Sequence, residues 1–260
     1  MNILLNGICG YMGKEVVKLS DLGYRGARVV CGVDPSAVGN EAPTSVRSFK
    51  EIISLGNVDC IIDFSHHSCV CELLDFAVEN SLPAVIATTG HTPDEIKRIR
   101  EASEQIPVFF SANMSVGVAL LVELAKNAAK ALPDAEIEIV EKHHDRKLDA
   151  PSGTALMIAN AIREVKPASY ERCGRHGHGK RAPEEIGIHA IRIGNIVGEH
   201  EVIVATQNQT ITLKHEAHSR ALFAEGALAA ASFLVKCESG LYDMKSLIEE
   251  EVNRDEIMSV

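Results

Sequence analysis

Ile3-Leu4-Leu5-Asn6-Gly7-Ile8-Cys9-Gly10-Tyr11-Met12-Gly13 opens the chain with a short apolar run and three glycines, and the helical pattern Glu15-Val16-Val17-Lys18-Leu19 follows. An apolar run that ends in Asn-Gly reads as a buried strand. Strand, glycine turn and helix together form the setting in which a dinucleotide-binding fingerprint works. The spacing here is G-x-x-G-x-x-G, with Cys9 where the commoner pattern has glycine. The mechanics carry over. Gly7 makes the tight turn, Gly10 lets the backbone approach a pyrophosphate, and Gly13 allows close helix–strand packing.

Outward from that turn the alternation repeats. Ala27–Val33 reads as a second strand ending at Asp34. That acid lies about twenty residues past the turn, where a carboxylate hydrogen-bonds the ribose hydroxyls of NAD; the alternative is a strand-end turn residue. Pro35 follows, where an arginine would meet the 2′-phosphate of NADP, and Arg47 and Lys50 lie further along. NADH is therefore favoured and NADPH stays open. Val58–Phe64, Pro83–Thr88 and Val108–Phe110 read as further strands, and Ser68–Asn80 and Thr92–Gln105 as helices. Thr92, Pro93 and Glu95 make the last a capping-box start. This rhythm implies a parallel, doubly wound Rossmann sheet. Its ligands bind beyond the carboxyl ends of the strands: Gly7–Gly13, Asp34, Ser65–His67, Thr88–Gly90 and Ser111–Met114.

After a long Ala/Leu-rich helix at Val116–Ala131 the rhythm changes. Glu136–Val140 alternates polar and apolar, a half-buried strand. A helix is expected at 153–165, then a mobile Gly-rich basic loop at Cys173–Arg181. Ile186–Ile193, Glu201–Ala205 and Thr210–Leu213 look like antiparallel strands, and one face of Ile186–Ile193 is expected to be buried against another subunit. Phe223–Val235 and Asp243–Val252 read as closing helices. The fold class is α/β, with an α+β second part on a mixed or antiparallel sheet.

Chemistry concentrates in Glu141-Lys142-His143-His144-Asp145-Arg146-Lys147-Leu148-Asp149-Ala150-Pro151-Ser152-Gly153-Thr154. His143 and His144 are imidazoles, a residue type suited to proton transfer, and Lys147 is a compact cation with protons to give. Ser152 caps the helix that begins at Ala155–Ala159, and backbone N–H groups around Gly153 and Thr154 make an anion site. The cluster suits gripping a carboxylate and protonating what is attached to it. The bland alternative is a solvated loop with ordinary helix punctuation. No metal site is expected: adjacent histidines rarely face one ion, and neither Cys69-x-Cys71 nor Cys173 with His176 and His178 has a second half.

The 260 residues allow one large domain or two ordinary ones, and 46% apolar with 24% charged residues is a globular composition. A formal charge of −10 argues against nucleic acid or an anionic membrane as partner. Seven cysteines, an odd number, fit reduced thiols in a cytosolic protein. Met1–Asn6 lacks the basic and long apolar segments of a signal peptide, and no run reaches membrane-span length. The expectation is a cytoplasmic protein without a targeting presequence.

With these pieces in view, the chain resembles the 4-hydroxy-tetrahydrodipicolinate (dihydrodipicolinate) reductase family over nearly its whole length. The most specific match is Glu141–Thr154, which looks like E-x-H-H-x-x-K-x-D-A-P-S-G-T; Gly7–Gly13, Ala87–Gly90, Ser111–Val118 and Gly194–His200 support it. The resemblance implies reduction of a cyclic dicarboxylate in lysine biosynthesis, with His143 as proton donor/acceptor and Lys147 as proton donor. It implies that His144, Gly153 and Thr154 bind substrate carboxylates. Gly7, Ile8, Cys9, Gly10, Tyr11, Met12, Asp34, Ala87, Thr88, Thr89, Ser111, Ala112, Asn113 and Met114 would line NADH or NADPH. It further implies a dinucleotide domain at 1–114 plus 224–260, a substrate and tetramerisation domain at 115–223, and a homotetramer. Tyr11 stands where many members carry arginine, and Pro35 where NADPH-preferring members carry a basic residue. Two alternatives stay open: another small-carboxylate dehydrogenase, which would not need the Glu141–Thr154 loop, and a non-catalytic NADH sensor, which should carry a basic helix that this acidic chain lacks.

Overall fold

A computed structural model describes residues 1–38, 43–52 and 56–257. The chain divides into two compact units, Met1–Val116 with Ala221–Val260, and Gly117–Arg220. Residues 258–260, which the expected dinucleotide domain includes, lie outside the described residues. In chain order the first unit contains β1 (Asn2–Asn6), α1 (Tyr11–Asp21), β2 (Arg28–Val33), β3 (Thr44–Val46), β4 (Cys60–Asp63), α2 (Val70–Glu79), β5 (Ala84–Ile86), α3 (Pro93–Ser103) and β6 (Pro107–Phe110). Next come α4 (Val116–Ala131), β7 (Glu136–His143), α5 (Gly153–Val165), β8 (Tyr170–Cys173), β9 (Glu185–Arg192), β10 (Gly198–Ala205) and β11 (Thr210–Ala217). The chain then returns to the first unit with α6 (Ala221–Leu234), β12 (Gly240–Tyr242) and α7 (Met244–Ile257).

The first sheet runs β3-β2-β1-β4-β5-β6-β12, and every pairing in it is parallel. The order reverses at β1, so the switch point lies between β1 and β4, where an open α/β sheet binds its ligand. Its strands are apolar on both faces because helices cover both. On one side Leu73 and Leu74 of α2 and Ile99 of α3 meet Leu4, Ile61, Ile86 and Val108. Each such fully buried side chain contributes roughly 1.5–3 kcal/mol. On the other side α1 and α6 pack together, and α6 lies on β4, β5 and β6.

The second sheet is mixed, in the order β11-β10-β7-β9-β8. β10 is antiparallel to β11 and β7, whereas β9 is parallel to both β7 and β8. This corrects the antiparallel reading of Ile186–Ile193. Strand direction follows from how the chain returns, and parallel neighbours need a connection that travels the length of the strand. Between β8 and β9 the Gly-rich basic stretch does that. It is tied down rather than loose: Arg181 Nε donates to Glu138 Oε1 at 3.1 Å and Arg175 Nη2 lies 2.7 Å from Glu185 Oε2. Gly187 leaves room for that carboxylate, since a Cβ there would lie 1.7 Å from Glu138 Oε2.

One face of this sheet is core. Ile137, Ile139, Ile186, Ile188, Val202 and Val204 pack against Leu121 and Ala125 of α4 and Ile158 and Ile162 of α5. The alternation in β7 continues past Val140 to His143. Because strand side chains alternate, Glu141 and His143 share the face of Ile137 and Ile139.

Candidate active site

In the first unit the expected cofactor residues gather at the carboxyl end of the parallel sheet. Gly7 has φ +84°, a left-handed conformation that favours glycine, and a Cβ there would lie 2.5 Å from the Phe64 carbonyl oxygen. A Cβ on Gly13 would lie 2.2 Å from the Gly7 oxygen, and one on Gly10 3.2 Å from it. The turn is therefore a cradle of bare backbone. Gly10 caps α1 without a side-chain hydrogen bond, and the first turn of α1 carries no acidic residue, so no carboxylate of its own competes for an anion at this helix start. Asp34 closes the cradle from β2: Oδ2 accepts from Cys9 N–H at 3.1 Å and Oδ1 from Ser36 N–H at 2.9 Å. Those two bonds aim the carboxylate and leave lone pairs for ribose hydroxyls. These features fit a dinucleotide.

Sequence reasoning missed the residue that joins the rim together. Asp63, the last residue of β4, is fully buried. Its oxygens accept from Asn6 Nδ2 at 2.8 Å, Ser65 Oγ at 2.6 Å and Thr88 Oγ1 at 2.7 Å, linking the ends of β1, β4 and β5. Burial raises its pKa above the ordinary carboxyl value, against the lowering effect of Ser65, Thr88 and Asn6. Ala87–Thr89 follow β5. Ser111–Met114 follow β6 as a self-bonded turn, with Ser111 Oγ donating to the Asn113 carbonyl at 2.8 Å. α6 holds Met114 in place: a Cβ on Gly226 would lie 1.7 Å from its oxygen.

In the second unit the apolar core face ends in a polar layer. Strand register sets His200 opposite Glu141 and Arg192 beside His143. Glu141 has 0% exposure. Arg192 Nη1 and Nη2 donate to its two oxygens at 2.8 Å each, Ser152 N–H donates to Oε1 at 3.0 Å, and His143 Nδ1 lies 2.6 Å from Oε2. Burial would raise the Glu141 pKa, but Arg192, His143 and the Ser152 N–H outweigh it and hold it below the ordinary range. Burial lowers that of His143, and Glu141 only partly offsets this. His200 Nε2 lies 2.9 Å from Ser152 Oγ, and burial brings its pKa to about 4. Neither Glu141, Arg192 nor His200 was assigned a role from the sequence. The readable signal was parity, since the i, i+2 series from Ile137 runs through Glu141 to His143.

Beyond His143 the loop exposes its cations. Lys147 Nζ pairs with Asp149 Oδ1 at 2.9 Å and its side chain keeps 23% exposure. His144 Nδ1 is buried without a hydrogen-bond partner. Ser152 caps α5 through Ala155 N–H at 3.2 Å, the first turn of α5 carries no acidic residue, and a Cβ on Gly153 would meet nothing within 4 Å. His143 at the end of β7, His144 and Lys147 in the loop, and Gly153 and Thr154 at the α5 start thus follow one another in a stretch whose groups are of the kinds that hold a carboxylate and move protons. Among the described residues no His/Cys/Asp/Glu group is arranged to hold a metal ion, and no helix is long and apolar enough to cross a membrane.

Residues 1–114 match the family described as dihydrodipicolinate reductase, N-terminus, and residues 117–248 that described as dihydrodipicolinate reductase, C-terminus. A 4-hydroxy-tetrahydrodipicolinate reductase of Caldanaerobacter subterraneus is 46% identical over 254 residues, 96% of this chain and 99% of the relative. That of Clostridium tetani is 42% identical over 253 residues, 95% and 97% of the two chains. A solved dipicolinate-bound dihydrodipicolinate reductase from Paenisporosarcina sp. TG-14 has the same fold, with a TM-score of 0.79 at 24% identity over 94% of this chain and 97% of that one. On the two family matches and these relatives, the chain belongs to the dihydrodipicolinate reductase family.

Proposed function

We propose that this protein reduces 4-hydroxy-tetrahydrodipicolinate to tetrahydrodipicolinate with a nicotinamide cofactor, in lysine biosynthesis through diaminopimelate. The observation that carries the reading is the polar layer beneath His143, continuous with the open cationic loop that ends at the α5 start. The substrate has two carboxylates, and the loop offers donors for both: His144, and the N–H groups at Gly153 and Thr154. Loss of the substrate hydroxyl as water leaves an electron-poor C=C–C=N system. Gly7–Met12, Asp34, Ala87–Thr89 and Ser111–Met114 would hold the reduced nicotinamide, which would supply a hydride. The chain's own task is then to orient the ring and deliver one proton to the carbanion or enamine, from Lys147 or His143.

The first unit would be the dinucleotide domain and the second the substrate domain, with its outer sheet face building a cytoplasmic homotetramer. NADH is favoured because an acidic residue, Asp34, follows β2, where a carboxylate suits ribose hydroxyls and would repel a 2′-phosphate. One observation keeps NADPH as a second reading: Arg47 Nε donates to the Ala37 carbonyl at 3.4 Å, bringing a guanidinium to the loop that follows Asp34.

The test is oxidation of NADH and of NADPH, followed by absorbance, with freshly made dihydrodipicolinate-synthase product. Turnover with a higher kcat/KM for NADH is expected. Cofactor binding without turnover on this substrate would refute the reading, and an Arg47→Ala variant that loses only NADPH activity would support the second one. Sedimentation of the full chain tests the tetramer.

A further inference from the structure

Glu141 has the geometry of a group that decides which nitrogen of a histidine carries the proton. An ionised carboxylate only accepts. All four of its close partners are on the donor side: both terminal nitrogens of Arg192, the Ser152 N–H and His143 Nδ1. His143 Nδ1 therefore carries a proton, and in the neutral ring the lone pair is on Nε2. That second nitrogen lies against backbone that leaves it room, since a Cβ on Gly198 would come within 3.1 Å of Nε2. His200 packs edge-on against the ring with centroids 5.2 Å apart, so the imidazole is held in its plane as well as at Nδ1.

We infer that Glu141 is a positioning residue which fixes His143 in the Nδ1–H form with Nε2 unprotonated, so that His143 offers its Nε2 lone pair as an acceptor. The inference rests on the reductase reading and adds to it a residue that orients His143. For His143 to be the donor it would have to be an imidazolium, and the groups facing it argue against that. Arg192 already holds Glu141 in a two-pronged ion pair, so a charged ring would set a second cation on one buried carboxylate, with Lys147 as a third nearby. Burial, Arg192 and Lys147 all favour the neutral ring, and Glu141 alone opposes them. His200, the remaining titratable neighbour, is itself held neutral by burial.

Lys147 has the opposite circumstances. Its ammonium has three protons to give, is paired with Asp149 and keeps an exposed edge. Arg192 Nη2 also donates to the Asp149 carbonyl, so one guanidinium braces both the carboxylate behind the histidine and the residue that holds the lysine. In the proton step, hydride addition has formed one C–H bond and left an electron pair on the substrate. That pair takes a proton from Lys147 Nζ to form the second C–H bond, and the resulting amine is reprotonated from water.

The test is ¹⁵N NMR of the full-length protein with labelled histidine at neutral pH, with the His143 signals assigned by their loss in His143→Asn. The expected spectrum has His143 protonated at Nδ1 and bare at Nε2. A ring protonated at Nε2, or at both nitrogens, overturns the inference, and this readout needs neither turnover nor a Glu141 variant. Glu141→Gln should then give mixed tautomers and lower kcat by roughly 10²–10⁴-fold, the range for a mis-set catalytic imidazole, with cofactor affinity unchanged. Glu141→Asp should restore the Nδ1–H form and part of the rate. Wild-type kcat in Glu141→Gln would overturn the inference even if the reductase reading stands.

Discussion

The glycine turn after β1 and the loop after β7 occupy equivalent places at the ends of strands, yet they are built on opposite principles. The turn works by what is missing: where Gly7 and Gly13 stand, a single methyl group would collide with backbone oxygens. The loop works by what is present, a buried carboxylate with a donor on every side and cations at its edge. A site that recognises a fixed cofactor can be made from shape alone. One that must hand over a proton needs charges held in defined states, and those charges need partners.

Lys147→Ala should break this division most sharply. If Lys147 has its proposed role as proton donor, kcat should fall by about 10²–10⁴-fold, while cofactor affinity, read by fluorescence titration, should not move; a parallel loss of affinity would mean the two regions are not separable. Gly13→Ala is the converse, with a steric cost of roughly 3 kcal/mol. It should weaken both cofactor binding and the urea midpoint, and normal cofactor affinity would show that the turn can relax.

The buried acids and bases sharpen the contrast through pH. His200 has a folded pKa of about 4 against an ordinary 6.5, so the unfolded chain takes up a proton that the folded one refuses. Its stabilisation is complete above pH 6.5 and is lost as the pH falls toward 4, a change of about 3 kcal/mol. Asp63 is raised rather than lowered, so its contribution runs the other way and is lost as the pH rises through its folded pKa. Urea midpoints measured across this range should show a smaller acid loss for His200→Gln than for wild type; equal losses would place the acid sensitivity elsewhere. The smallest effect belongs to Thr92→Ala, which removes the capping box of α3. It should cost about 1 kcal/mol of stability and leave kcat unchanged.

What could be read from the sequence divides along the same line. Glycines in register with apolar runs announce a Rossmann turn because the constraint is local. β3 and β12 escaped notice because three residues make no pattern, and the pairing sense of β9 because direction depends on the return path. In Glu141–Thr154 the histidines and the lysine are visible as a cluster. Arg192 and His200 lie some fifty and sixty residues from Glu141 in sequence and reach it only through the register of β7 with β9 and β10, which no short-range pattern encodes.

The first unit is assembled from both ends of the chain, since α6 and β12 come after the whole of the second unit. During synthesis the face of β4, β5 and β6 that α6 covers stays wet until residue 234 and beyond have left the ribosome. The second unit, continuous from residue 117 to 220, can close before then. The glycine turn is encoded first and its sheet completed last, so a chain cut short in its final helices would have a finished second unit but a half-covered first sheet, the exposed apolar surface that quality control removes.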